Sequence, residues 1–536
     1  IERNRPAHRV CLPPLDRPVP LDALPDSAAD STIGSVAATI GVVDRPFDQR
    51  RDPLRVDLTG AAGHVAVVGG PHSGKSTAVA TVLLALARRY PPGECRFVAL
   101  DFGGGTVSLL RGLPHVAAVA GRTDDEVVRR IVADTAAVVR RREELFRRLG
   151  IASMAELRAS RHALPDVDTA DLILVVDGWS TVRSDFESHE ATLTRIATTG
   201  LSYGVHLVLT AGRWADIRPA VKDAIGTRVE LRLVDPLDSD IGRAQASKVP
   251  ARPGRGVTSN GLHLLIALPR TDGRQTVAGL TGAVRDAVDG VRARWADVPA
   301  APALRLLPHR LPRAEFLARA FGSESGCSWP PSTVGAGFHG QIPLGVDEDD
   351  LAPVHLDLTE NPHFLVLGDG RCGKTAVLRA LCAGLVDAND AASLRVLVID
   401  YRRTLLDVVP EDRLAGRASS AEEAGPMVVE LARHLRTRRP GPDTTKEQLA
   451  ARSWWTGPDV VVVVDDYDLV VTPTGNPLAE LLDLLSVARD VGLHLVVARR
   501  AGGAARALYE PVLARLRDLA SPGLIIELIA NQRAAL

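Results

Sequence analysis

Two short stretches of the sequence have the residue spacing of a phosphate-binding loop, G-x-x-x-x-G-K-[ST]. In such a loop, backbone N–H groups surround the phosphates of a nucleotide, the lysine reaches the outer phosphates, and the hydroxyl residue ligates Mg²⁺. The sequence therefore predicts two sites for ATP and Mg²⁺. The predicted nucleotide-binding residues are Gly69, Gly70, Pro71, His72, Ser73, Gly74, Lys75, Ser76 and Thr77 in the first loop, and Gly368, Asp369, Gly370, Arg371, Cys372, Gly373, Lys374, Thr375 and Ala376 in the second.

Each loop has the flanking pattern that phosphate binding requires. Apolar runs at 64–68 and 364–367 predict a strand before each loop, and a helical pattern follows each one. The alternative is a glycine-rich turn with a chance lysine, and two complete matches in one chain disfavour it. The chain is poor in lysine, yet Lys75 and Lys374 both stand in the loops, where a compact ammonium is needed.

Two aspartates, Asp177 and Asp465, end apolar runs that predict buried strands. A carboxylate in this position can hold the Mg²⁺ shell of a bound nucleotide. With the loop hydroxyls, the predicted metal set is Ser76, Asp177, Thr375 and Asp465. The alternative is an aspartate that only caps the following helix, and the same placement in both copies favours the metal role.

The residue after each of these aspartates bears on hydrolysis. Hydrolysis needs a second carboxylate, which orients or deprotonates the attacking water. Gly178 has no side chain, and Asp466 is one methylene shorter than the glutamate expected there. A misplacement of about 1 Å can lower a rate by about 10²-fold. We expect the first site to bind ATP and barely hydrolyse it, and the second, with Asp466 as its catalytic carboxylate, to be slow.

Two arginines, Arg228 and Arg232, are candidates for the charge that stabilises the transition state. In this chemistry an arginine from a neighbouring protomer is often used. Both residues belong to a late predicted strand, from which a side chain can point outward. The alternative, that both simply reach solvent, carries equal weight.

The order of elements repeats along the chain. The spacing from the loop lysine to the next strand-end aspartate is the same in both copies, and so is the spacing from the metal aspartate to a strand histidine. The matching pairs are Lys75–Asp101 and Lys374–Asp400, then Asp177–His206 and Asp465–His494. Equal spacings predict a duplicated domain. Alternating strands and helices predict the α/β class, with two tandem P-loop NTPase domains that each form a mostly parallel, doubly wound sheet.

The predicted boundaries follow composition. Residues 1–297 form the first domain, the Pro-rich stretch 298–313 is the linker, and residues 314–536 form a second domain with a short C-terminus. The chain up to about residue 30 is expected to be irregular. Residues 123–126 fit a capping box that opens a long helix ending near Gly150.

Composition limits the classes of partner and compartment. The 536 residues are 46% hydrophobic with a net charge of −1, so no overall basic field attracts a nucleic acid. Five scattered cysteines predict reduced thiols in the cytosol. The sequence has neither an apolar stretch of about 18 residues nor a signal-peptide pattern. It starts at Ile1 rather than at Met, which leaves open that the sequence is a fragment of a longer protein.

Beyond the loops, the chain resembles the FtsK/SpoIIIE-type ATPases with a RecA-like fold, and more narrowly EccC, the ATPase of type VII (ESX) secretion systems. The resemblance covers nearly the whole chain, and it is most specific in the Asp-Tyr-Arg-Arg and Trp-Trp-Thr-Gly-Pro stretches. The stretches that carry it are residues 101–105, 177–179 and 204–211 in the first copy and 400–406, 453–458 and 465–468 in the second.

The resemblance implies that these are the second and third of three ATPase domains, with a membrane anchor upstream or on a partner chain. It implies a place on the cytosolic face of the membrane and contact with the other ATPase domain and membrane components, in a hexameric or filament-like assembly. It further implies WXG-type secreted substrates, whose C-terminal signal docks on the last ATPase domain, and degenerate ATP sites in the later domains.

Two other functions remain open. FtsK-type motors also pump DNA, but the net charge of −1 and the lack of a basic appendage count against a DNA translocase. A non-enzymatic docking scaffold, with ATP as a structural cofactor, is the second alternative, and Gly178 supports it for the first domain.

Overall fold

The computed structural model describes residues 12–25, 36–59, 63–160, 167–308, 310–321, 337–348, 351–451, 453–472 and 475–526. The chain divides into two compact units. The first comprises residues 1–306 with 348–350, and the second comprises residues 307–347 and 351–536. The division at residue 306 falls within the Pro-rich stretch 298–313. No helix in the described ranges is both long and apolar enough to span a bilayer.

The first unit is built on one ten-stranded sheet, in the order β2-β1-β10-β9-β8-β3-β7-β6-β4-β5. The six strands from β8 to β5 are parallel, and the pairs that join β8, β9, β10, β1 and β2 are antiparallel. The strands are β1 Ala37–Arg45, β2 Arg50–Asp57, β3 Val65–Val68, β4 Cys95–Asp101, β5 Val116–Gly121, β6 Asp171–Asp177, β7 Val205–Ala211, β8 Thr227–Leu231, β9 Arg255–Thr258 and β10 His263–Ile266.

Helices cover both faces of this sheet, so its central strands are aliphatic and fully buried. One core lies between the sheet and α1 and α8, and the other lies against α2, α4 and α5. The helices are α1 Lys75–Arg89, α2 Asp125–Leu149, α3 Met154–Ala159, α4 Trp179–Asp185, α5 Glu187–Thr199, α6 Pro219–Ala224, α7 Arg243–Ala246 and α8 Leu280–Arg294.

The second unit has a six-stranded, wholly parallel sheet in the order β15-β14-β16-β17-β13-β18, and a separate antiparallel hairpin of β11 and β12. The strands are β11 Gln341–Val346, β12 Pro353–Asp357, β13 His363–Gly368, β14 Leu394–Ile399, β15 Leu414–Ala418, β16 Asp459–Val464, β17 Leu493–Arg500 and β18 Gly523–Ile526. The helices are α9 Arg313–Phe321, α10 Lys374–Ala388, α11 Ala421–Arg436, α12 Lys446–Ala451, α13 Tyr467–Val470, α14 Leu482–Leu485, α15 Ala488–Val491, α16 Ala504–Ala507 and α17 Pro511–Asp518.

The two units share one topology. The parallel order β5-β4-β6-β7-β3-β8 of the first is repeated, strand for strand, as β15-β14-β16-β17-β13-β18 in the second. The predicted pair of mostly parallel, doubly wound α/β sheets is confirmed. The sequence did not predict that β9, β10, β1 and β2 extend the first sheet in antiparallel order, because pairs such as β1 with β10 join segments that are far apart in the chain.

The capping box predicted at 123–126 was wrong. Helix α2 begins at Asp125, and its N-cap residue, Asp124, makes no side-chain bond to the helix. The Asp124 carboxylate instead accepts a hydrogen bond from the N–H of Gly121, 2.9 Å away, at the end of β5. The helix does end where the sequence indicated, with Gly150 in the left-handed conformation.

Candidate nucleotide sites

The first phosphate loop joins β3 to α1 and is held by three neighbouring segments. Gly69 N–H donates to Ala211 O (3.1 Å), Gly70 N–H donates to Arg232 O (2.8 Å), and Ser73 O accepts from Gly254 N–H (2.8 Å). Gly74 caps α1 with φ +98°, and a Cβ there would lie 2.9 Å from the Gly254 nitrogen. Only glycine satisfies both the dihedral angle and this approach.

The second loop joins β13 to α10 with the same backbone conformation. Gly373 caps α10 with φ +102°, matching Gly74. Arg371 has φ +61°, and His72, its counterpart in the first loop, has φ +57°. The two loops therefore form the same cradle, with N–H groups at the N-terminus of a 15-residue helix in each unit.

The lysine of each loop lies over the cradle. Lys75 Nζ donates to the carbonyls of Gly69 and Gly70, both at 2.7 Å, and Lys374 Nζ donates to Asp369 O at 2.7 Å. Burial lowers the pKa of Lys75, and the charge of Asp177 opposes this change. Each ammonium therefore lies against its own phosphate loop, where the lysine of such a loop contacts the outer phosphates of a nucleotide.

The first metal set is assembled around Asp177 at the end of β6. Asp177 Oδ1 accepts a 2.7 Å hydrogen bond from the hydroxyl of Thr210 on the neighbouring strand β7. Burial raises the pKa of Asp177, and hydrogen bonds from Thr210 and Ser76 oppose the change. The hydroxyl of Ser76 and the carboxylate of Asp177 are both hard oxygen ligands, so this pair fits Mg²⁺.

The two residues of the second predicted metal set, Thr375 and Asp465, contact each other directly. Thr375 Oγ1 donates to Asp465 Oδ2 at 2.7 Å, and Thr404 Oγ1 donates to the same oxygen at 3.1 Å. The N–H of Asp466 donates to the other carboxylate oxygen at 2.9 Å. A loop hydroxyl and a strand-end carboxylate are therefore brought together as Mg²⁺ coordination in a P-loop site requires, and the residues fit the ion.

The turn after each metal aspartate is left-handed in both units, with φ +100° at Gly178 and φ +46° at Asp466. A Cβ on Gly178 would lie 3.2 Å from the Cβ of Phe102, whose ring stacks on Phe186 with centroids 5.1 Å apart. Aspartate tolerates the left-handed region better than most residues do. The first site thus lacks the second carboxylate and has little room for one.

Asp466 is engaged by a neighbouring arginine. Its Oδ2 lies 3.0 Å from Nε of Arg402, and its side chain is only 15% exposed. Burial and the charge of Asp465 raise the pKa of Asp466, whereas Arg402 lowers it. The predicted catalytic carboxylate is therefore partly buried and ion-paired.

The sequence did not single out individual site residues in the turns that follow β4 and β14. Asp101 accepts hydrogen bonds at Oδ2 from the N–H and hydroxyl of Ser108, both 2.8 Å away, and Asp400 accepts from the N–H groups of Arg402 (3.0 Å) and Leu405 (2.7 Å). These carboxylates shape the loops that reach the metal aspartates. The equal Lys–Asp spacing, which we used only to infer the duplication, is the sequence signal that marks them.

The two candidate arginines have different positions. Arg228 pairs with Ala66 in the middle of the sheet; its guanidinium donates to Lys222 O (3.0 Å) and lies 3.7 Å from Asp240. Arg232 follows β8, and its carbonyl accepts the hydrogen bond from Gly70 of the loop, but its exposed side chain donates to Val249 O (2.7 Å). The structure brings only Arg232 beside the first loop, and a role across a protomer boundary stays a prediction for both.

A largely apolar cavity of about 260 Å³ adjoins the first loop. It includes Gly74 and Thr77, and its other walls come from distant parts of the unit. Those walls are Leu15, Asp16, Pro18, Arg252, Pro253, Gly254, Arg255, Leu265, Ile266, Ala267, Leu268, Val277 and Leu280. Its position and apolar lining suit the flat base of a nucleotide whose phosphates lie in the loop.

Comparison with known proteins gives one consistent result. Residues 30–272 and 333–445 match the FtsK/SpoIIIE family. The chain is 48% identical to the ESX-4 secretion system protein EccC4 of Mycobacterium tuberculosis over 97% of its length, and 35% identical to the ESX-1 secretion system protein EccCb1 of Mycolicibacterium smegmatis, again over 97%. It covers 40% of the former relative and 87% of the latter.

Solved structures that are similar to this chain come from the same family. The cytoplasmic domain of the type VII secretion ATPase EccC from Thermomonospora curvata superposes with a TM-score of 0.81 at 44% identity, covering 98% of this chain and 61% of that one. A structure of Thermomonospora curvata EccC (ATPases 2 and 3) in complex with a signal sequence peptide gives 0.80 at 45% identity, covering 96% and 92%. The chain belongs to the FtsK/SpoIIIE family of P-loop ATPases and, within it, to the EccC proteins of ESX type VII secretion systems, of which it represents ATPases 2 and 3.

Proposed function

We propose that this chain is the ATP-binding and substrate-recognition module of a type VII secretion system, and that it recruits WXG-type proteins through their C-terminal signal. The observation that carries the proposal is the Thr375–Asp465 contact beneath a lysine-capped phosphate loop, in a chain 45% identical to an EccC fragment solved with a signal sequence peptide. We take the first unit as ATPase 2 and the second as ATPase 3, the signal-docking domain, with residues 298–313 as the linker.

In this proposal the cradle N–H groups and Lys75 or Lys374 hold the phosphates. The pairs Ser76–Asp177 and Thr375–Asp465 hold Mg²⁺, which, when bound, neutralises charge on the outer phosphates. The cavity beside the first loop takes the base. Each of these residues binds or orients the nucleotide, which is the role the geometry supports for both sites.

Turnover differs between the sites. The first binds ATP and barely hydrolyses it, because a glycine occupies the place of the water-activating carboxylate. The second is slow, because Asp466 is one methylene shorter than the glutamate expected at this position. Arg228 and Arg232 remain candidates for a residue acting on a neighbouring protomer, in a hexamer that forms with the other ATPase domain and the membrane components at the cytosolic face.

The test is fluorescence polarisation with a labelled C-terminal peptide of a WXG-type protein, titrated with this chain in parallel with labelled duplex DNA. Saturable peptide binding that survives moderate salt, with no binding to DNA, supports the proposal. Tight, salt-sensitive DNA binding without peptide binding would refute it in favour of a DNA translocase.

A docking scaffold with ATP as a structural cofactor is the second candidate for the first unit alone, because Gly178 supplies no carboxylate and its surroundings leave little room for one. Multiple-turnover hydrolysis that survives Lys374→Ala but is lost with Lys75→Ala would exclude it.

A further inference from the structure

The turn after the second strand of the parallel core differs between the two units. In the first unit, Asp101 is followed by Phe102 and three glycines, and a Cβ on Gly103 would lie 2.2 Å from Asp177 Oδ2. At Gly103, therefore, no side chain fits between this turn and the metal aspartate. In the second unit, the residues after Asp400 and Tyr401 are Arg402, Arg403 and Thr404, so polar side chains stand where the first unit has none.

Two of these side chains reach the metal aspartate and its neighbour. Thr404 Oγ1 contacts Asp465 Oδ2 at 3.1 Å, and Nε of Arg402 contacts Asp466 Oδ2 at 3.0 Å. The turn itself is fixed, because Asp400 accepts hydrogen bonds from the N–H groups of Arg402 and Leu405. Arg402 therefore places a positive charge of the same chain beside Asp466, the residue that follows the predicted Mg²⁺ ligand Asp465.

The Arg402 guanidinium has freedom to change partner. Its side chain is 50% exposed, whereas that of Asp466 is 15% exposed. A guanidinium has five N–H donors in a planar fork, and a phosphate can accept two of them at once. The single contact with Asp466 uses only one of these donors. ATP would add negative charge beside Asp465 and Asp466, and ADP would add less, because it lacks the outer phosphate.

We propose that Arg402 is a phosphate-sensing residue of the second nucleotide site, which pairs with Asp466 when no outer phosphate is present and transfers to the γ-phosphate when ATP is bound. The inference rests on the proposed function, since it requires nucleotide at the second loop. It gives the second unit a means to distinguish ATP from ADP that the first unit lacks. Release of Asp466 is the structural consequence of ATP binding.

The test measures the equilibrium affinities for ATP and for ADP, with Mg²⁺, in the full chain carrying Lys75→Ala to silence the first loop. Arg402→Gln is compared with Arg402→Lys and with the matched control Arg403→Gln. Arg403 is the next residue of the same turn, and its guanidinium donates to Ser419 Oγ at 3.2 Å. Circular dichroism and thermal midpoints establish that each variant is folded.

We expect Arg402→Gln to reduce the preference for ATP over ADP by about tenfold, the loss of a hydrogen bond to a charged group. Arg402→Lys should retain part of the preference, and Arg403→Gln should leave it unchanged. Equal losses of ATP and ADP affinity in Arg402→Gln would overturn the proposal and assign Arg402 a merely structural role. If the parent Lys75→Ala chain binds neither nucleotide, the proposed function itself fails.

A double-mutant cycle supplies a second, independent readout. Asp466→Asn removes the competing partner of Arg402, so it should raise ATP affinity more in the parent than in the Arg402→Gln background. An identical effect of Asp466→Asn in both backgrounds would show that the two residues are not coupled through the nucleotide, and would also overturn the proposal.

Discussion

The hydroxyl of Thr375 donates a 2.7 Å hydrogen bond to Oδ2 of Asp465, which joins the second phosphate loop to the end of β16. The two residues are 90 positions apart in the chain, and the contact requires β13 and β16 to be held in one parallel sheet with β17 between them. The loop and the carboxylate therefore act as one unit toward a metal-bound nucleotide.

Removal of this hydroxyl should weaken Mg²⁺-dependent ATP binding at the second site. We expect Thr375→Ala to lower ATP affinity by about tenfold in the presence of Mg²⁺, because an oxygen ligand is lost. Thr375→Ser keeps the oxygen and should bind nearly as the parent does. ATP affinities measured with Mg²⁺ and with EDTA distinguish the loss of a metal ligand from a general loss of nucleotide binding. An equal loss of affinity in both conditions would contradict the metal role.

Installation of the expected carboxylate in the first unit should destabilise it without restoring hydrolysis. Gly178→Glu imposes a left-handed conformation on a residue with a Cβ, which costs about 1–2 kcal/mol, and places that Cβ 3.2 Å from Phe102. Gly104→Ala is the matched control, since φ there is +109° but no atom lies within 4 Å of the added Cβ. Urea unfolding measures both variants, and a Gly178→Glu protein of unchanged stability with gained ATPase activity would contradict this account.

Acid should destabilise the first unit through His64. Burial lowers the pKa of His64 from 6.5 to about 4, and its neutral ring accepts from the N–H of Leu207 while Nε2 contacts Ala197 O at 2.7 Å. Because the unfolded state binds the proton more readily, stability is fully present above pH 6.5 and falls as the pH drops from 6.5 toward 4. The slope should be roughly 1.4 kcal/mol per pH unit for this residue.

Unfolding followed between pH 7 and pH 4.5 in the parent and in His64→Gln tests this expectation. The substitution lowers stability at pH 7, because the ring contacts are lost, but it should flatten the dependence on pH. A variant with the same slope as the parent would show that His64 is not responsible.

The Trp-Trp-Thr-Gly-Pro stretch should support the fold of the second unit rather than its nucleotide site. Trp455 Nε1 donates to Asp490 O at 2.7 Å, and the guanidinium of Arg438 lies 4.2 Å from the centre of the Trp455 ring. Gly492 has φ +66°, and a Cβ on it would lie 2.6 Å from the same ring. The indole thus packs on the turn that leads into β17.

We expect Trp455→Ala to destabilise the second unit by about 3 kcal/mol, the usual loss for a packed aromatic residue. The control Leu469→Ala removes a side chain in the same unit that is 39% exposed, and it should change stability by less than about 0.5 kcal/mol. Denaturation monitored by fluorescence gives stability, and ATP affinity at the second site should be unaltered in the folded variant.

The phosphate loops were predictable from sequence because their determinants are local. The glycine positions, the lysine and the hydroxyl have fixed spacing, and Gly74 and Gly373 adopt the same left-handed dihedral angles in the structure. The parallel strands were predictable because burial on both faces makes them continuously aliphatic. The duplication of the domain was predictable from the equal spacings, whereas the strand order was not.

The parts that were missed depend on distant contacts. The Arg402–Asp466 pair joins two loops 64 positions apart, and the capping box failed because the end of β5 competes for the Asp124 carboxylate. The cavity beside the first loop draws on residues before β1 and after β10. The chain up to about residue 30 was expected to be irregular, yet in its described part Leu15 and Pro18 form a wall of that cavity. Residues 1–11 and 26–30 of this stretch lie outside the described range.

The same cavity is enclosed by segments from both ends of the first unit. Leu15 O accepts a hydrogen bond from Arg255, Val19 O accepts one from Leu268 N–H, and Leu280 also lines the cavity. A ligand that fills the space touches the first described segment of the unit and the start of its last helix at once. Displacement of either segment would therefore open the cavity, so retention of a ligand there would require both segments to stay in place.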